Sequence, residues 1–90
     1  MRFAWDPVKA AENFAKHGVS FDDATTVFGD PLSATAPDPD HSFDEERFVT
    51  FGTSSGGRHL AIAYAERDDT IRIVSARRVT LRERKVYEEG

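Results

Sequence analysis

The chain has no cysteine, which removes disulfides, thiolate metal sites and a thiol nucleophile from consideration. No run approaches the roughly 18 apolar residues of a membrane span. The opening Met1-Arg2-Phe3-Ala4-Trp5-Asp6-Pro7 lacks the apolar stretch of a signal peptide, so a cytoplasmic protein is expected, with no membrane partner. No GxxxxGK[ST] or HExxH pattern occurs, and Gly52 to Gly57 does not match a dinucleotide fingerprint. Asp38, Asp40, Asp44, Glu45 and Glu46 do not make a calcium loop, because Phe43 stands where the sixth-position glycine is required. No metal and no cofactor is therefore expected. Positive charge is also absent from one region: residues 22 to 46 hold eight of the 16 Asp and Glu and no Lys or Arg. Residues 67 to 90 hold seven of the 12 Lys and Arg. With a net charge of −4, bulk attraction to nucleic acid is excluded, whereas a local cationic site for phosphate is not.

Ninety residues with ten aromatics make one small domain, residues 1–90, with one modest core. Residues 2 to 5 read as a short strand. Asp6-Pro7 reads as an N-cap followed by proline in the first helical turn. Val8, Ala11, Phe14 and Ala15 recur at helical spacing as the apolar stripe, with Lys9, Glu12, Asn13 and Lys16 on the other face. Gly18 suits the C-terminal stop. Ser20 and Asp23 form a capping-box pattern that opens a second helix with the stripe Phe21, Ala24, Val27 and Phe28. Leu32 to Ala36 is a weak strand candidate. Strands are expected over residues 46–51, 58–65 and 70–78. Thr80 with Glu83 is a second capping box, opening a helix to about Glu89. The order β-α-α-β-β-β-α defines an α+β domain with an antiparallel sheet packed against helices.

If residues 66 to 69 form the loop of the last hairpin, Ala65 meets Thr70 and Arg58 meets Arg77 on one face. Like charges directly opposite are destabilising in a ladder. An anion between two guanidinium forks relieves that repulsion, so the pair points to phosphate. The competing reading is two solvated strand ends paired with glutamates. A one-residue slip would move one arginine to the other face. His17 is a candidate acid or base, or a helix-terminal cation. Glu46 is a candidate base, or an ion-pair partner of an arginine. Tyr87 could stack on a base, or simply pack.

Together the segments Phe3-x-Trp5-Asp6, Asn13-x-x-Lys16-His17-Gly18-Val19-x-Phe21, Ala24-x-x-Val27-Phe28-x-Asp30-Pro31, Glu46-Arg47, Gly52-x-Ser54 with Arg58, Arg72-Ile73-Val74-Ser75-Ala76-Arg77, and Glu83-Arg84 with Tyr87 run through the whole chain. In this order and spacing the chain resembles the BrnT toxins of BrnT–BrnA type II toxin–antitoxin systems, which are similar in fold to RelE-type ribonucleases. The resemblance implies a cytoplasmic ribonuclease that halts translation and cleaves RNA without a metal ion, the ribose 2′-OH attacking the adjacent phosphate. It implies an RNA substrate, free or ribosome-associated, and a cognate BrnA-like antitoxin through which alone operator DNA is bound. Arg58 and Arg77 would hold the phosphate, Glu46, His17 or Lys16 would move protons, and Tyr87 would position the base or phosphate. The alternatives are a non-enzymatic interaction module and, more weakly, a nucleic-acid-binding repressor subunit.

Overall fold

A computed structural model describes residues 1–38 and 46–89, with side chains as far as Val86. The elements are β1 (Arg2–Ala4), α1 (Pro7–His17), α2 (Phe21–Thr25) continued by a 3₁₀ turn (Thr26–Gly29), β2 (Ala34–Pro37), β3 (Arg47–Thr53), β4 (His59–Arg67), β5 (Thr70–Arg78) and α3 (Leu81–Glu89). The five strands form one sheet in the order β1-β5-β4-β3-β2. The sheet is mixed, which corrects the all-antiparallel expectation: β1 lies parallel to β5, while the other neighbours are antiparallel. The weak strand candidate becomes the edge strand β2.

Local signals set the helix ends. The Asp6 side chain accepts from the Val8 N–H at 2.8 Å, and Gly18 ends α1 in the left-handed region at φ 69°. Ser20 Oγ accepts from the Asp23 N–H at 3.0 Å. The second capping box is complete: Thr80 N–H donates to Glu83 Oε1 at 3.0 Å and Glu83 N–H donates to Thr80 Oγ1 at 3.1 Å.

One face of the sheet carries the core. Leu60, Ile62, Tyr64, Ile71, Ile73 and Ala76 meet Val19, Phe21, Ala24 and Val27 there, all buried. Phe28 extends the cluster, its ring 5.1 Å from Tyr64 and 5.3 Å from Phe3. Gly52 is required at this seam, since a Cβ there would stand 2.8 Å from Val27 Cγ1.

Helix α1 is turned the other way from the expected one. Val8, Ala11, Phe14 and Ala15 are exposed, Phe14 by 57%, and Asn13 is the buried residue of the helix. The cause lies in β5. Strand β1 pairs only with Thr70–Arg72, so the same edge of β5 is bare further along. Asn13 fills it as a third strand would. Its Nδ2 donates to Ala76 O at 2.8 Å and to Val19 O at 3.1 Å, and its Oδ1 accepts from the Ala76 N–H at 3.1 Å. A buried backbone N–H and C=O both need partners, and one carboxamide supplies both.

Candidate functional site

The hairpin β4–β5 decides which arginines share a site. Its loop is two residues, Asp68-Asp69, with Asp68 held at φ 54° and Arg67 opposite Thr70. Short acidic side chains tolerate that left-handed conformation. Further along, Ala63 meets Ser75 while Tyr64 meets Ile73, so Val74 is an extra residue in β5. The tighter loop and this bulge shift the register. Arg77 faces Ala61, and Arg78 faces Leu60. Arg58 precedes β4 and has no strand partner, so the facing pair Arg58–Arg77 does not exist.

Arg77 lies on the sheet face away from the core and forms a two-pronged ion pair with Glu83, at 2.7 and 2.9 Å. It ties β5 to the first turn of α3. The Arg77 guanidinium and then the Thr80 N–H hold the Glu83 carboxyl well below its ordinary range, at about 2. A depressed carboxylate pKa stabilises the fold above the unfolded value and loses that contribution as pH falls toward the folded value. Stability at this helix start should therefore decline between about pH 4.5 and pH 2. Both groups are partly exposed, which limits the pair to about 1 kcal/mol. Denaturant melts at pH 7 and pH 3 test this: Glu83→Gln should narrow the stability difference between the two conditions, and an unchanged difference would remove the pair as its source.

Arg58 is positioned by the turn between β3 and β4. Buried Ser54 donates its N–H to Arg58 O at 2.8 Å, and its Oγ accepts from the Arg58 N–H at 3.3 Å. Gly57 completes the turn at φ 82°, which favours glycine. Asp30 Oδ2 accepts from the Thr53 N–H at 2.8 Å, and Thr26 Oγ1 from the Ser55 N–H at 2.8 Å, so the turn is moored to the segment after α2. From this mooring Arg58 Nη1 donates to Gly18 O at 2.9 Å. The guanidinium thus rests at the C-terminal end of α1, where the helix dipole favours a cation. One of its five donors is used in that bond.

Beside it opens a cleft of about 330 Å³ lined by Arg58, His59, Arg78 and Arg84, with Val79 and Thr80 in its wall. Among the described residues no carboxylate lines it. His59 is half-buried, with Nδ1 3.2 Å from Thr53 Oγ1, the residue opposite in the ladder. That contact orients the ring and leaves Nε2 for another partner.

The sequence candidates therefore divide. Arg58 lines the cleft. Lys16 and His17 end the helix whose next residue, Gly18, anchors Arg58. Arg77 is on the other face. Glu46 is exposed at the far end of β3, beside Glu66, about 20 Å along the strand from Thr53. Tyr87 belongs to α3, and its side chain lies outside the described residues, as do Asp40, Asp44 and Glu45. No cluster of three metal-ligating side chains occurs among the described residues. Arg78, Arg84 and His59 line the candidate cleft and were not singled out by the sequence reading. The adjacency of His59 to Arg58 was the available signal for one of them.

The architecture is a small α+β domain built on one mixed five-stranded sheet. It superposes on the Brucella abortus ribonuclease toxin BrnT with a TM-score of 0.65, at 22% sequence identity, over 89% of this chain and 97% of that one. No curated protein matches the chain significantly. The model of the ribonuclease toxin BrnT of type II toxin–antitoxin systems matches residues 5–83, and the chain belongs to that family. Family membership brings with it a ribonuclease class of activity and a protein antitoxin as partner. No described helix is long and apolar enough to cross a membrane.

Proposed function

We propose that this chain cleaves RNA by internal transphosphorylation in the cleft beside Arg58. The observation that carries the reading is the convergence of Arg58, Arg78 and Arg84, with His59 beside them, on one cleft. The scissile phosphate gains negative charge on its oxygens as the 2′-oxygen attacks. Preorganised guanidinium donors stabilise that charge more than they stabilise the ground state. A base removes the 2′-OH proton, the bond from phosphorus to the 5′-oxygen breaks, and an acid protonates that oxygen. The products are a 2′,3′-cyclic phosphate and a 5′-OH end. His59 through Nε2 and His17 at the adjoining helix end are the proton carriers this arrangement offers, with Lys16 beside them as a further cation. Tyr87, on the helix that walls the cleft, contacts the base or phosphate. Arg77 acts at one remove, by fixing α3 through Glu83. Glu46 stands too far away to share the chemistry.

In the cell this activity would stop translation in the cytoplasm. The antitoxin would be BrnA-like, would mask the arginines and would supply the operator-binding part. The mechanistic kinship expected with RelE-type ribonucleases fits the same scheme.

Expression of the chain without its antitoxin should arrest growth, and co-expression should restore it. Purified protein should cut RNA in the presence of EDTA and leave 5′-OH and cyclic phosphate ends. Cleavage that requires a divalent ion would overturn the mechanism. Neither arrest nor cleavage would leave a non-enzymatic module that acts only in the toxin–antitoxin complex.

A further inference from the structure

Strand β3 runs past its edge neighbour. Strand β2 pairs with it only over residues 48–51, so Thr53 lies beyond the last paired residue. A carboxylate takes the place of the missing strand. Asp30 Oδ2 accepts from the Thr53 N–H at 2.8 Å, and Asp30 Oδ1 accepts from the Leu32 N–H at 2.9 Å. Gly52 leaves room for this approach, since a Cβ there would stand 3.2 Å from Asp30 Oδ2. On its other side Thr53 closes the β3–β4 ladder opposite His59. The His59 carbonyl accepts from the Val79 N–H at 3.0 Å, so the His59 backbone is held from both sides. A β-branched side chain has few rotamers, which fixes the aim of the Thr53 hydroxyl. Its Oγ1 lies 3.2 Å from His59 Nδ1, and both residues are half-buried.

A hydroxyl can donate to Nδ1 or accept from it, so this contact is compatible with either ring tautomer. The cleft decides between them. Arg58, Arg78 and Arg84 line it together with His59, and a guanidinium group only donates. A ring nitrogen among donors serves as an acceptor, which places the proton on Nδ1 and the lone pair on Nε2. We propose that Thr53, fixed by Asp30, is a positioning residue that holds His59 in the Nδ1–H tautomer and makes Nε2 the base of the cleavage reaction. The role exists only if the chain is a ribonuclease, as proposed above, and it assigns the base to His59 and not to His17. Nε2 takes the 2′-OH proton, the 2′-oxygen bonds to phosphorus, and the bond to the 5′-oxygen breaks. That oxygen takes its proton from His17 or from solvent. The imidazolium formed keeps its Nδ1–H bond to Thr53 Oγ1, and the negative charge gained by the phosphoryl oxygens offsets its own. Base and phosphate holder are then consecutive residues, His59 and Arg58, of one moored turn.

Two readouts test this. Long-range proton–nitrogen NMR of the nitrogen-labelled protein, in alkaline buffer where imidazole is neutral, reads the tautomer without RNA. His59 should carry its proton on Nδ1. Thr53→Val should lose that preference, and Thr53→Ser, which keeps the hydroxyl, should retain it. Valine preserves the backbone N–H that Asp30 holds and suits a strand, so the fold is kept. In cleavage assays Thr53→Val should lower kcat about 10–100-fold with KM little changed, as loss of a group that orients a reacting imidazole does. Thr53→Ser should recover most of the rate, and His59→Ala should lose at least as much as Thr53→Val. A His59 proton on Nε2 in the parent protein would overturn the proposal. So would full activity in Thr53→Val, equal losses in Thr53→Val and Thr53→Ser, or a smaller loss in His59→Ala. Each of these is read in a parent that cleaves RNA, so the ribonuclease reading would stand. A parent that cleaves no RNA would fail that reading and the base role with it, whichever tautomer NMR shows.

Discussion

Asn13→Ala should lower the stability of the domain by about 3 kcal/mol, which for a chain this size is roughly 12–24 °C in melting temperature. Three hydrogen bonds end on this one side chain, and it is only 8% exposed. Alanine leaves the Ala76 N–H, the Ala76 carbonyl and the Val19 carbonyl without their partner. Each stranded buried group costs about 1–3 kcal/mol, and relaxation toward water recovers part of the sum. The loss falls where α1 is docked to β5, so the Gly18 carbonyl that anchors Arg58 should lose its fixed place too. Asn13→Asp should be worse than Ala at neutral pH. It places carboxylate oxygen against two carbonyl oxygens in a buried position, where both acceptors repel it. Thermal and denaturant melts of the two variants read this directly. An Ala variant within about 1 kcal/mol of the parent would mean that water takes over the edge of β5 and that Asn13 is not the fastener of α1.

The same residue shows where sequence reading stops. Helix ends were legible because their signals are local: Asp6-Pro7, Ser20 with Asp23, and Thr80 with Glu83 all cap helices as their spacing predicts. The stripe of Phe21, Ala24 and Val27 was legible because burial is its only use. The facing of α1 was not. An asparagine among alanines reads as a solvent position until a bare strand edge is known, and that edge is bare because β1 is three residues long. A parallel pairing across almost the whole chain leaves no local trace, which is why the sheet reads as antiparallel from its hairpins alone. Within the hairpin, the acidic pair Asp68-Asp69 marked a turn but not its length, and nothing in Arg72-Ile73-Val74-Ser75 announces a bulge at Val74. Since side chains alternate with period two, these small uncertainties moved Arg77 to the wrong face and hid Arg78. What the register overturns is the facing of Arg58 and Arg77, since Arg77 stands opposite Ala61 on the other face.

Arg58→Ala should reduce the cleavage rate by about 10²–10³-fold, as removal of one preorganised donor from a developing oxyanion does elsewhere, equivalent to about 3–4 kcal/mol of transition-state stabilisation. The effect should fall on kcat more than on KM, because the bond to phosphate strengthens as charge builds during attack. Arg58→Lys should recover only part of the rate, since an ammonium cannot hold Gly18 O and a phosphate oxygen in one planar fork. Arg78→Ala should lose rate on a similar scale from the other wall of the cleft. Arg77→Ala should behave differently. Its guanidinium is committed to Glu83, so its removal should cost about 1 kcal/mol of stability and disturb kcat only through the seating of α3. The Glu83→Gln variant should then mimic Arg77→Ala, whereas no carboxylate variant should mimic Arg58→Ala. That asymmetry separates the observed cleft from a facing Arg58–Arg77 clamp, which requires both arginines to lose rate alike with Glu83 irrelevant. Single-turnover cleavage of one RNA oligonucleotide by the five variants, each checked for a cooperative melt, decides between them. An Arg77→Ala loss matching that of Arg58→Ala, unshared by Glu83→Gln, would return Arg77 to the phosphate and displace the cleft from the centre of the mechanism.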